Sequence, residues 1–473
     1  MSQLLCTARI IAILLALSVS QWGVANSAPS GDGINPAAHA PWKAHIFNDD
    51  LNTNYISVAH GGVHQYPIIS YDPYNLKGVL RLAMPAISMT GNCGPSNTWY
   101  CKFIGQGSDD GHTSRIAVYN FRDSFKIGYI YKDSFFSRYY LISEEYSNDL
   151  AYLTTSNVEI FNSSIYDEPH RAWIMTGPPV FVFDDYGDPH MVALLQFGGG
   201  YRVVYAHEQT SGSPTDPCTN EVGTRFQCDI IYESSIPDFI FSNIRIVINN
   251  SGDPRISFFS GGNESVIYAY PNTAHANCGP GGNTWRCITI ESSSADNDFY
   301  LGGSDPILLD MAIGPASPHI IMKAHNQFGH TRIWYAKFVG AGGNCGYDYL
   351  GAIQVNRWQC STLAWDGLAD PPYGNFSLKV DSLDYPVIAL NWPTLANYQV
   401  GVLYPAGRTG GTPGVWEFDK ADGRDIDTGY AVDLALSNDD LGLIGYGELE
   451  EYEPNLKIAY QVQDKAYLPF IKK

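Results

Sequence analysis

Short apolar runs alternate with polar positions along most of this chain, and they recur in a fixed order. Segments such as Ile56-Ser57-Val58-Ala59, Ile116-Ala117-Val118, Ile244-Arg245-Ile246-Val247-Ile248 and Val432-Asp433-Leu434-Ala435-Leu436 put apolar side chains at every second position. That is the period of a pleated strand. A second apolar strand follows and often opens on proline, as in Pro67-Ile68-Ile69-Ser70-Tyr71, Pro254-Arg255-Ile256-Ser257-Phe258, Pro318-His319-Ile320-Ile321 and Pro386-Val387-Ile388-Ala389. Proline is tolerated there because the first residue of a strand need not donate an N–H to the ladder. A third strand ends in alanine: Leu80-Arg81-Leu82-Ala83, Val203-Val204-Tyr205-Ala206, Val266-Ile267-Tyr268-Ala269, Ile333-Trp334-Tyr335-Ala336 and Leu456-Lys457-Ile458-Ala459. A fourth begins at a tryptophan, in Trp99-Tyr100-Cys101, Trp285-Arg286-Cys287, Trp358-Gln359-Cys360 and Trp416-Glu417-Phe418. The pattern predicts a unit of four strands, A to D.

From Ala83 to Ala459 the unit recurs with a mean spacing of about 63 residues, which gives seven units. The second keeps Ile116-Ala117-Val118 and Tyr139-Tyr140-Leu141-Ile142 without cysteines, and the seventh stops after strand C. Its missing strand D is expected at the other end of the chain, where Trp42-Lys43-Ala44-His45-Ile46 matches Trp99-Tyr100-Cys101-Lys102-Phe103. Units that interlock in this way predict an all-β fold: a seven-bladed β-propeller of four-stranded blades, closed by the N-terminal strand completing the last blade. Radial repetition leaves only short, protected sheet edges. An open solenoid would want distinct capping units instead. The expected organisation is a leader over 1–25, a linker over 26–41, the propeller over 42–463 and a short tail over 464–473.

Composition supports strands, because 32 Tyr, 21 Phe and 10 Trp favour pleated, half-buried surfaces and 46 Gly with 28 Pro supply turns. The 473 residues carry 28 Lys+Arg against 48 Asp+Glu, a net charge of −20. Such an excess repels phosphate backbones and anionic lipid, so nucleic acid is not an expected partner. At the N-terminus, Arg9 precedes the apolar run Ile10-Ile11-Ala12-Ile13-Leu14-Leu15-Ala16-Leu17-Ser18-Val19 and the small-residue site Gly23-Val24-Ala25. This reads as a secretory signal peptide. No later stretch approaches about 18 consecutive apolar residues, so no membrane span is expected. The mature chain is expected to be a secreted, extracellular monomer.

Loss of Cys6 with the leader leaves eight cysteines, an even number in an oxidising compartment. They fall into four local couples: Cys93/Cys101, Cys218/Cys228, Cys278/Cys287 and Cys345/Cys360. Zinc knuckles usually place two to four residues between ligands, whereas these gaps are seven, nine, eight and fourteen. Four structural disulfides and no metal are expected. Three couples share the frame Asn-Cys-Gly…Trp-x-Cys, beginning at Asn92, Asn277 and Asn344.

The turns Gly94-Pro95-Ser96-Asn97-Thr98-Trp99 and Gly279-Pro280-Gly281-Gly282-Asn283-Thr284-Trp285 resemble those of sialidase-like propellers built from bacterial neuraminidase repeats. In that family an Asp-box turn joins strands C and D and ends in an aromatic residue. Here the Asp is missing and a cysteine clip stands in its place. The resemblance covers nearly all of the mature chain, and it implies a propeller with these turns on the face opposite the binding surface. For a sialidase it further implies an arginine triad, a Tyr/Glu nucleophile pair and an acidic Asp, roles that no motif assigns to numbered residues of this chain.

By analogy with such propellers, ligands meet the face around the central channel. Arg115, Arg245, Asp310 and Asp433 lie at the start of strand A and are the candidate polar ligand site, with ion pairing between blades as the structural alternative. Trp365 and Trp392 fall in or beside loops of that face and are candidates for stacking on a sugar ring. The five tryptophans at the strand D position, Trp42, Trp99, Trp285, Trp358 and Trp416, are expected in the core. A second column, Arg138, Arg202 and Arg332, is expected to meet solvent and neighbouring carboxylates. Adjacent carboxylates such as Glu144-Glu145, Asp184-Asp185 and Glu450-Glu451 should point to opposite faces of a strand, whereas glycoside hydrolysis needs two converging on one bond.

His60 with His64 and His325 with His330 would each need a third ligand to hold a metal. Asp419, Asp422, Asp425 and Asp427 around Gly423 loosely resemble a calcium loop but lack its terminal Glu. No cofactor is expected, with structural calcium as the alternative. The expected function is a binding or scaffolding module for extracellular carbohydrate or protein, without catalysis. The rival is a sialidase-like glycoside hydrolase.

Overall fold

In the computed structural model, the described residues are 40–48, 53–73, 79–106, 115–133, 138–162, 174–175, 179–197, 200–209, 226–234, 244–260, 265–279, 284–292, 308–325, 331–350, 353–365, 376–393, 398–409, 415–422, 428–450 and 453–462. The leader, most of the linker and the tail lie outside them. Antiparallel strands make up six sheets. Sheet I orders Thr53–Gly61, Tyr66–Pro73, Val79–Pro85 and Trp99–Gln106. Sheet II orders Ile116–Asn120, Ser124–Asp133, Arg138–Ser147 and Tyr152–Asn162. In sheet III, Ile174–Met175 and Val180–Phe183 both pair with Pro189–Phe197, followed by Gly200–Glu208 and Phe226–Ser234.

Sheet IV is nine-stranded. One half runs Ile244–Ile248, Pro254–Ser260, Ser265–Pro271 and Trp285–Ser292; the other runs Leu309–Ile313, Pro318–His325, Thr331–Phe338 and Ile353–Trp365. Between them lies Cys345–Leu350. Sheet V orders Phe376–Val380, Pro386–Pro393, Tyr398–Pro405 and Trp416–Lys420. Sheet VI orders Thr428–Leu436, Gly442–Glu450, Glu453–Gln461 and, from the other end of the chain, Trp42–Asn48. Trp42 stands opposite Gln461 and Ala44 opposite Ala459 in that last pairing.

The arrangement is that of a β-propeller, but the expectation of seven separate blades is corrected: five sheets stand alone and the sixth is the nine-stranded sheet IV. The cause is the long connection between Cys345 and Cys360. It folds into an extra strand, and Tyr347 pairs with Thr289 across the seam between the halves.

Neighbouring sheets pack face to face, so successive residues of one strand enter different cores. Ile68 packs with Leu82, Phe125 and Ile127 between sheets I and II, whereas the adjacent Ile69 packs with Leu443, Leu456 and Ile458 between sheets VI and I. Both are fully buried, which is why these strands read as nearly continuous apolar runs. The halves of sheet IV also face each other across a core, formed by Val266, Ile288 and Ile290 against Leu309, Ile320 and Trp358. The first strands touch in chain order, from Thr53–Gly61 through Ile116–Asn120, Val180–Phe183, Ile244–Ile248, Leu309–Ile313 and Phe376–Val380 to Thr428–Leu436, which touches Thr53–Gly61 again.

The Asn-Cys-Gly frame has a local reason. Cys93–Cys101, Cys278–Cys287 and Cys345–Cys360 are disulfides. Cys228 is also disulfide-bonded, and its expected partner Cys218 lies outside the described residues. Each clip asparagine grips the backbone of the second cysteine twice. Asn277 Nδ2 donates to Cys287 O at 2.9 Å, and Cys287 N donates to Asn277 Oδ1 at 2.6 Å. Asn92 and Asn344 do the same for Cys101 and Cys360. The following glycine takes a positive φ, 74° at Gly346, and a Cβ there would lie 2.2 Å from Trp358 Cδ1. Glycine therefore lets the indole close over the turn.

Candidate functional site

The four candidate polar residues lie where the first strands adjoin, and they bond from one first strand to another. Arg245 Nε donates to Asp310 Oδ1 at 2.8 Å, with Arg115 Nη1 4.0 Å from the same oxygen. The other oxygen, Asp310 Oδ2, accepts the Leu378 N–H at 2.8 Å. Asp433 accepts the Val58 N–H at 2.8 Å on one oxygen and the Ser377 hydroxyl at 2.6 Å on the other. Ser57 occupies the matching position in sheet I and accepts the Ile116 N–H at 3.3 Å. Strand A thus hands its central polar side chain to the backbone of the next sheet.

Burial pushes the Asp310 carboxyl upward, but Arg245, Arg115, Lys379 and the Leu378 N–H outweigh it and hold the group below its ordinary value. Arg245 is brought down to about 10, first by burial and then by the charge of Arg115, against the pull of Asp310. Arg115 is the open member, with 46% of its side chain exposed. Arg245 and Arg115 thus form ion pairs with Asp310 between units, while Asp433 is held by a backbone N–H and a hydroxyl.

Trp365 and Trp392 are placed only by register, opposite Arg332 and Gln399; their side chains, like those of Arg138 and Arg332, lie outside the described residues. Arg202 pairs with the neighbouring carboxylate of Glu233 at 3.2 Å, with 15% of its side chain exposed. Trp99, Trp285 and Trp358 are buried, whereas Trp42 and Trp416 are half-buried.

His60 Nδ1 lies 2.9 Å from the carbonyl of Gln65, and His64 is exposed. The side chain of His325 and all of His330 lie outside the described residues. Asp419 accepts the Trp42 Nε1–H at 2.9 Å and Asp422 accepts the Tyr446 hydroxyl at 2.7 Å; Asp425 and Asp427 lie outside the described residues. Among the described residues no three His, Cys, Asp or Glu side chains are grouped to hold a metal.

Glu144 and Glu145 diverge as alternation requires. Glu145 accepts the Ser124 hydroxyl at 2.6 Å, while Glu144 is buried, ion-paired with Lys102, and accepts the hydroxyls of Tyr146 at 2.6 Å and Tyr129 at 3.1 Å. Burial first, and the Glu144 charge second, push both phenols far above their ordinary value. Reluctant ionisation is the opposite of what a phenolate nucleophile needs.

Sequence reading missed two Asp-His-Tyr chains. His190 Nδ1 lies 2.5 Å from the Tyr205 hydroxyl and Nε2 3.4 Å from Asp184 Oδ2. His319 Nδ1 lies 2.6 Å from the Tyr335 hydroxyl and Nε2 3.3 Å from Asp384 Oδ1, whose other oxygen meets Lys337 at 2.6 Å. Burial lowers both imidazoles despite the neighbouring carboxylates. The signal was present: Pro-His opens strand B and Tyr-Ala closes strand C in both units, at Pro189-His190 with Tyr205-Ala206 and at Pro318-His319 with Tyr335-Ala336.

No family model matches this chain, and no curated protein matches it. Among solved structures, a mutant of Trypanosoma rangeli sialidase displaying trans-sialidase activity is similar at 8% identity and a TM-score of 0.36, over 74% of this chain. The match spans about half of that protein's length, 54%. AofleA from Arthrobotrys oligospora is similar at 9% identity and a TM-score of 0.38, over 83% of this chain and 95% of its own. A mutant of the Aleuria aurantia lectin AAL, in complex with Fucalpha1-6GlcNAc, is similar at 11% identity and a TM-score of 0.38, over 78% and 96%.

Proposed function

We propose that this chain is a secreted, seven-bladed propeller that binds extracellular carbohydrate or protein and does not cleave its ligand. Each half of sheet IV counts as one blade in this reading, since each contributes four strands and the halves share a core like that between separate sheets. The strand Trp42–Asn48 completes the last blade. Secretion is supported by the leader-like opening run and by the disulfides.

One observation carries the non-catalytic reading: both oxygens of Asp310 and both of Asp433 are engaged by other first strands. Carboxylates committed to backbone N–H groups and a buried guanidinium work as clasps, whereas a hydrolase needs one carboxyl free to move a proton and another facing the same bond. The test is a pair of assays on the secreted chain. An array of immobilised glycans and extracellular proteins is expected to yield a specific binder, and a panel of fluorogenic glycosides, sialosides included, is expected to give no turnover. Sialoside turnover abolished by Asp310→Asn or Asp433→Asn would establish the hydrolase instead.

A further inference from the structure

Where the halves of sheet IV join, the inserted strand Cys345–Leu350 walls a cavity of about 380 Å³ lined by Asn277, Cys287, Thr289, Tyr347, Asp348 and Gln354. The volume lies within the common range of small-ligand sites, about 300–1,000 Å³. Behind the inserted strand, on the face opposite Tyr347, sits a fixed carboxylate. Asp348 is 2% exposed, with the Arg286 guanidinium on Oδ1 and Arg357 Nε 2.8 Å from Oδ2. Each arginine is anchored in turn, Arg286 to the carbonyl of His275 at 2.7 Å and Arg357 to that of Gly340 at 2.9 Å. The two guanidinium groups thus pin the inserted strand from behind and hold its other face in place.

The walls are uncommitted. Thr289, Tyr347 and Gln354 line the cavity with side chains that make no hydrogen bond or ring contact among the described residues. Tyr347 is 39% exposed, although an aromatic residue facing its own sheet would ordinarily be packed over. A flat ring, a hydroxyl and an amide that both donates and accepts together suit a compact molecule with an apolar face and a rim of hydroxyls.

We propose that this rim cleft holds one neutral sugar unit of an extracellular glycan, its ring against Tyr347 and its hydroxyls exchanging hydrogen bonds with Thr289 and Gln354. The inference rests on the binding reading above and gives it a place and a ligand class. A neutral unit is favoured because the chain's net charge of −20 opposes polyanions.

The test measures the wild-type chain, Tyr347→Ala, Gln354→Ala and the control Tyr186→Ala on an array of immobilised neutral and carboxylated oligosaccharides, with melting temperatures in parallel. Tyr186 is 81% exposed in another sheet. Binding of neutral glycans that falls about tenfold or more in Tyr347→Ala and Gln354→Ala, at unchanged melting temperature and with Tyr186→Ala unaffected, supports the cleft. Glycan binding equal in all four chains overturns the cleft while leaving the binding reading intact. Cleft-dependent binding of carboxylated glycans alone overturns the ligand class. A wild-type chain that binds no saccharide removes the carbohydrate reading and the cleft with it.

Discussion

At the scale of single residues, the polar side chains that sequence patterning singles out act between sheets. Asp310→Ala would leave Arg245 buried without its 2.8 Å partner and free the Leu378 N–H, a loss expected to cost about 3–5 kcal/mol in denaturant unfolding. An unfolding midpoint equal to that of the wild type would show that Asp310 is not a clasp. Strand position made these residues legible, because a charge in the middle of Ile-Arg-Ile or Leu-Asp-Met is conspicuous. Their bonds were not, since Leu378 N and Val58 N offer only backbone and no sequence signal. The histidines set a pH dependence. His60, His190, His207 and His319 all lie below the ordinary 6.5 through burial. The groups facing them are Asp184 and Asp188 at His190, Asp229 and His190 at His207, and Asp384, Lys337 and Asp381 at His319. The unfolded chain therefore takes up protons that the folded chain refuses, and stability is full above pH 6.5 and falls as pH drops below it. Asp384, held down to about 2, adds a second loss as pH falls from its ordinary 3.8 toward that value. Thermal melts between pH 8 and pH 5 should show the first decline, and a flat profile would contradict it.

At the scale of elements, three junctions between units are stapled by an aromatic pair. The strand C tyrosine meets the next unit's strand D tryptophan edge-on, Tyr205 with Trp285 at 5.6 Å, Tyr268 with Trp358 at 4.9 Å and Tyr335 with Trp416 at 5.3 Å. At Trp285 and Trp358 a clip fixes the tryptophan in place. Asn277→Ala removes two backbone-gripping bonds and is expected to lower stability by about 1–3 kcal/mol, read as a shifted denaturation midpoint. Reduction and alkylation of the mature chain is expected to label eight cysteines, none of them before reduction, because Cys228 is already bonded and Cys218 is its proposed partner. Several thiols reacting before reduction would contradict this. The clips were legible because asparagine, glycine and tryptophan each answer to a local geometric demand. The merger of sheet IV was not. A fourteen-residue gap between Cys345 and Cys360 marks an insertion, but only tertiary placement decides that Tyr347 reaches Thr289 in another unit.

At the scale of the whole molecule, the first strands complete a circuit and the ends of the chain share sheet VI. A sheet finished by the opening segment has no loose edge after Glu453–Gln461 and ties the first unit to the last. The most direct measurement is a cysteine cross-link between Ala44→Cys and Ala459→Cys, residues that face each other across the antiparallel pair. Directly opposed residues have Cα atoms about 4.5–5.5 Å apart, within reach of a disulfide. The secreted double variant is expected to form the link, detected as one joined peptide by mass spectrometry. Two free thiols at these positions, or links only to other cysteines, would contradict the closed arrangement and the clasp reading built on it.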